Sequence, residues 1–77
     1  MDIQLSDVTV HVDEGLDAAR RGEVEQALRG LDGVVSVSNP DQTPHLLIVR
    51  FNPDKVGTSS ILSAVTSQGV HAELVGL

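Results

Sequence analysis

Apolar residues follow two rhythms along this chain, and the switches between them mark six elements. Val8, Val10 and Val12 alternate with Thr9 and His11, the period of a half-buried strand, and the extended run is expected from Ile3 to Val12. Asp13-Glu14-Gly15 breaks it. Val24, Ala27, Leu28 and Leu31 then recur at the three-and-four spacing of one helical face. Asp17 is placed to cap that helix. Gly22 weakens its first turns by up to about 1 kcal/mol relative to alanine, which predicts a late start. Asp32-Gly33 stops the helix, and Val34 to Ser38 forms a second strand.

The cluster Asn39-Pro40-Asp41-Gln42-Thr43-Pro44 reads as a hairpin loop. His45 to Phe51 follows as HLLIVRF, a nearly continuous apolar run that suits a central strand covered on both faces. Asn52-Pro53-Asp54 ends it. Thr58 or Ser59 is expected to cap a second helix whose inward stripe is Ile61, Leu62 and Val65, with Gly69 as its left-handed C-terminal cap. Val70 to Val75 completes the set, with Val70, Ala72 and Leu74 on one side.

The order is β-α-β-β-α-β, which predicts an α+β, ferredoxin-like sandwich. In it, two helices cover one face of a four-stranded antiparallel sheet of spatial order 4-1-3-2, with right-handed crossovers. Seventy-seven residues leave room for one domain, 1–77, and a core of that size supports a net stability of only a few kcal/mol. Disulfides and thiolate metal sites are excluded, because the chain has no cysteine.

Charge narrows the partners. The formal net charge is −6, and the five cationic residues include one adjacent pair, Arg20 and Arg21. Phe51 is the single Phe, Tyr or Trp. Neither a basic patch for phosphates nor a platform for stacking bases results, so nucleic acid is not an expected partner. No apolar run approaches the roughly 20 residues of a membrane span, and the acidic start MDIQLSD is unlike a signal peptide. A cytoplasmic protein without membrane insertion is the expectation.

Laid over the predicted order, the chain resembles the heavy-metal-associated domains of copper and mercury chaperones and metal-pumping ATPases. The pieces that carry the resemblance are Val8 to Val12, VEQAL at 24–28, LDGVVSV at 31–37, VRFNPDK at 49–55, ILSAV at 61–65 and GVHAELV at 69–75. In that family a CxxC pair before the first helix grips a soft ion. Counting back from Val24, those positions fall at Asp17 and Arg20, within LDAARRG. Neither is a soft ligand and Arg20 repels cations, so the resemblance carries the fold but not Cu(I) transfer.

Three histidines remain as candidate ligands. His11 ends the first strand, while His45 and His71 open the third and fourth, so the predicted topology gathers all three at one end of the sheet. Alternation turns His11 and His71 away from the helices, with Asp13 and Glu73 on the same side. His45 has the opposite parity but sits beside Pro44, where a bulge can re-aim it. Imidazole and carboxylate together suit Zn, Ni, Co or Cu(II), and such binding weakens below about pH 6 as imidazole protonates. A set of His11, His45, His71 and Glu73 is thus the candidate metal site; solvated strand ends are the alternative.

The open sheet face is the second candidate. With Leu47, Val49 and Phe51 turned to the helices, Leu46 and Ile48 face outward and are joined by Val75 and Val35. A homodimer or a protein partner docking there is one reading, and an ordinary open face the other. Catalysis has no comparable pattern: no serine sits in a nucleophile elbow and no glycine-rich loop cradles phosphate. Asp13, Glu14 and Asp17 read as solvated loop and helix-start charges. The chain is therefore expected to be no enzyme, but a metal-handling module that uses histidines, or a metal-independent interaction module that pairs through its sheet.

Overall fold

The computed structural model describes residues 4–76. Six elements follow one another: β1 (Ser6–Val12), α1 (Ala18–Arg29), β2 (Val34–Ser38), β3 (Leu46–Phe51), α2 (Thr58–Thr66) and β4 (Ala72–Gly76). The four strands form one sheet of order β2-β3-β1-β4, antiparallel throughout, as the hydrophobic rhythm predicts. Ile3, the expected start of the first strand, lies outside the described residues.

Burial follows the strand period. Val8, Val10 and Val12 of β1 and Leu47, Val49 and Phe51 of β3 are buried with Val24 and Leu28 of α1 and Ile61 and Val65 of α2 in one cluster. The sheet is thus covered on its helix side, and the residues between these stand on the other face. HLLIVRF therefore supplies a central strand covered on one face, because Ile48 keeps 41% of its surface exposed. No helix among the described residues is long and apolar enough to cross a membrane.

α1 begins at Ala18, earlier than Gly22 suggested. The Asp17 side chain accepts from the Arg20 N–H at 2.8 Å, a cap worth about 1 kcal/mol. Fully burying Val24 and Leu28 adds about 1.5–3 kcal/mol each, so the glycine is outweighed. The helix closes at Arg29, with the Gly30 N–H donating to the Gln26 carbonyl at 3.0 Å, and Leu31 packs against the core from beyond it. Gly33 turns the chain into β2 at φ +103, where a Cβ would lie 2.8 Å from the Lys55 Cβ.

α2 starts without a side-chain cap: Gly57 holds the capping position and Thr58 is already helical. It ends at Thr66 with Ser67 as C-cap, and Gly69, at φ +80, makes the later turn towards β4. β3 and β4 each begin one or two residues later than expected, after His45 and His71. Val35 and Val75 are extra residues where β2 and β4 slip in register against their partners. Both are more than half exposed.

Candidate metal centre

One end of the sheet collects the chemistry. His11 is the penultimate residue of β1, and its two cross-strand partners are Leu46 on β3 and Glu73 on β4. Directly opposed side chains on one sheet face stand about 4.5–5.5 Å apart at Cβ, so His11 and Glu73 share the open face as neighbours. Asp13 lies just past the strand, held by its N–H donating to the His71 carbonyl at 2.9 Å. Its carboxylate is 3.0 Å from His11 Nδ1. Together His11, Asp13 and Glu73 can each present one ligand atom, all within 4.8 Å of one another.

The contact between Asp13 and His11 fixes more than a distance. A carboxylate beside Nδ1 accepts its proton, selects the tautomer with Nε2 as the free acceptor, and stops the ring rotating. Among the described residues Nε2 has no hydrogen-bond partner, and His11 is half-buried while Asp13 and Glu73 are exposed. This is how a metal-binding imidazole is held ready: one nitrogen is tied to an oxygen and the other is presented.

The other two histidines stand differently. His45 pairs with the last residue of β1, its carbonyl accepting from the Val12 N–H at 2.8 Å. Its Nδ1 lies 3.1 Å from the Val12 carbonyl, and its ring stacks on His11 with centroids 6.1 Å apart. It lies stacked beside the His11 ring but is not one of the clustered donors. His71 turns to Glu14, with Nδ1 at 3.8 Å from the carboxylate and the backbone N–H donating to it at 3.1 Å. Glu14 was missed in the sequence as a partner of His71. The one available signal was that the Asp13-Glu14 turn must face the start of the neighbouring strand.

Asp17 and Arg20 are fully engaged as structure. Asp17 caps α1, and the Arg20 guanidinium donates to the backbone carbonyl of Gln68, with the Gln68 Oε1 at 3.5 Å and Glu23 at 3.6 Å. Arg21 reaches the other way, to Asn39 Oδ1 at 3.1 Å and Asp41 at 3.5 Å. The adjacent arginines thus tie the start of α1 to the loops before β3 and β4. Gln68 carries no pattern that marks it, since its link to Arg20 spans 48 residues.

The arrangement invites comparison with solved structures. A copper-binding domain from HMA7, a P-type ATPase, superposes with a TM-score of 0.82 at 27% identity, covering 91% of this chain and 93% of that one. The chain has the heavy-metal-associated fold. The CopZ metallochaperone is similar at 26% identity and a TM-score of 0.77, covering 91% of this chain and 100% of its own. The N-terminal domain of a potential copper-translocating P-type ATPase from Bacillus subtilis gives a TM-score of 0.85 at 20% identity, over 95% and 90% of the two chains. No protein-family model matches the sequence, and no curated protein does.

Within this heavy-metal-associated fold the CxxC pair is lacking, since the chain has no cysteine. A soft monovalent ion does not fit Asp17 and Arg20: the carboxylate oxygen is spent on the helix cap, and the guanidinium is a fixed positive charge. The donors that remain free, nitrogen and oxygen at the end of the open face, suit borderline divalent ions instead.

Proposed function

We propose that this chain is a non-catalytic metal-handling module that takes a divalent transition ion, Zn, Ni, Co or Cu(II), through histidine and carboxylate rather than cysteine. The observation that carries the reading is the convergence of His11, Asp13 and Glu73 within 4.8 Å, with Nε2 of His11 left free. The likeness to copper-binding domains supports metal as the cargo, and the absence of cysteine accounts for a change in the kind of ion. His45 serves by stacking on His11, and His71 with Glu14 forms the rim.

The test is an NMR titration of tag-free protein with Zn²⁺, Ni²⁺ and Cu²⁺, following the three histidine rings. His11 should respond stoichiometrically at micromolar metal, with His45 shifting through its stacked ring and His71 least. H11A should abolish the response. Unchanged histidine signals at micromolar metal would remove this reading.

A second reading has its own observation. Ile48, Val75 and Val35 are 41%, 55% and 58% exposed around the open sheet face. An interaction module pairing through Leu46, Ile48 and Val75, indifferent to metal, follows from that surface. Association that survives chelator and is lost in I48E would favour it over metal handling.

A further inference from the structure

The donor count at the His11 end is short for one chain. Asp13 accepts from Nδ1 of His11 at 3.0 Å through one oxygen, the contact of a carboxylate that orients the ring. With Asp13 so used, His11 and Glu73 are the first ligands, and even all three converging donors fall short of the four a closed tetrahedral site takes. Both project from the open face of the sheet, beside Leu46 and one register step from Ile48.

We propose that one divalent ion bridges two copies of this chain face to face, bound by His11 and Glu73 from each. The inference rests on the metal reading above and names its partner. Sheets packed on one another stand about 10 Å apart, so an ion midway asks each side chain to reach about 5 Å, within the span of His and Glu. A two-fold axis through the ion relates the two histidines to each other and the two carboxylates to each other, and sets Leu46 and Ile48 of the two protomers together around it.

Charge decides that the ion is required. Each protomer carries −6 overall, and Asp13, Glu14 and Glu73 crowd this end, so two bare faces repel. Arg50 is the cation the sheet places on this face, but it is spent on Asp7, at 3.0 Å and directly across the β1–β3 pair. Its partner Asp7 lies four residues from His11 along β1, so the pair stands away from the acidic end. Area argues the same way. Four strands of five to seven residues present a face on the order of 20 by 20 Å, and Ile48 shares it with Thr9, His11, Arg50 and Glu73, so its apolar part is small. Apolar contact alone is too small; an ion that neutralises the acidic ends and cross-links them supplies the rest.

The experiment is analytical ultracentrifugation of the full chain with chelator, then with Zn²⁺ added in steps, with bound metal counted after gel filtration. The expected result is a doubling of the 8.1 kDa mass that is complete at one ion per two chains and reversed by chelator. H11A and E73Q, both at solvent-accessible positions, should keep the circular dichroism of the parent and stay monomeric. One ion per chain on a monomer would overturn the bridge while leaving the metal reading intact. No ion bound would overturn both. A dimer that forms in chelator and persists in H11A would also overturn the bridge and assign the association to the apolar face.

Discussion

At the scale of the residue, single contacts decide what each polar group is free to do. Asp13 accepts from Nδ1 of His11, so the ring presents Nε2 on the sheet face it shares with the exposed Glu73. D13N keeps the shape but no longer holds the imidazole as a carboxylate does. Metal affinity should fall about 10- to 100-fold by calorimetry, the usual cost of losing such an orienting group, with the fold unchanged. Gly33 shows the same economy in the backbone. Its φ of +103 and the 2.8 Å approach of the Lys55 Cβ leave no room for a methyl group. G33A should lower stability by about 2–3 kcal/mol in urea unfolding, because the left-handed strain and the clash fall on one site. The glycine turn follows from sequence spacing, as does the shared face of His11 and Glu73, though not their direct opposition. The stacking of His45 does not, since its parity points it towards the helix side and its position just before β3 releases it.

Helix α1 is the element on which the fold leans, and its contacts are legible in the sequence because they are local. Val24 and Leu28 lie one turn apart, both wholly buried in the core, on a helix that packs against β2 and α2. L28A should cost about 2–5 kcal/mol, as other large-to-small core changes do, and a domain this small holds only a few kcal/mol in reserve. The variant should therefore show a partly unfolded baseline in thermal melts, without needing denaturant. The start of α1 was harder to read. Propensity penalised Gly22, but the Asp17 cap and two buried side chains outweigh about 1 kcal/mol, so the helix begins at Ala18. At α2 the reverse holds: hydroxyls at Thr58 and Ser59 suggested a side-chain cap, yet the backbone places Gly57 there. Nearby polar residues at a helix start do not by themselves say which of them lies outside the first turn.

For the whole molecule, the question is how a chain keeps the heavy-metal-associated fold without its cysteines. Arg20 and Arg21 tie the start of α1 to loops on both sides, so the segment where a soft ion would sit is held by hydrogen bonds and ion pairs instead. Restoring the ligands tests that alignment. D17C/R20C should gain Cu(I) binding at one ion per chain, and the lost cap should cost about 1 kcal/mol of stability. Binding no better than the parent's would show that the loop register inferred from Val24 is wrong. The sequence by itself determined the element order, the sheet order and the inward faces, because each is written in periodicities of two and 3.6 and in the turns between them. Only the tertiary structure decided which of the charged and imidazole groups meet. Those meetings depend on side-chain angles and on residues up to 62 positions apart, as with His11 and Glu73, whose proximity arises from a strand register that no local pattern encodes.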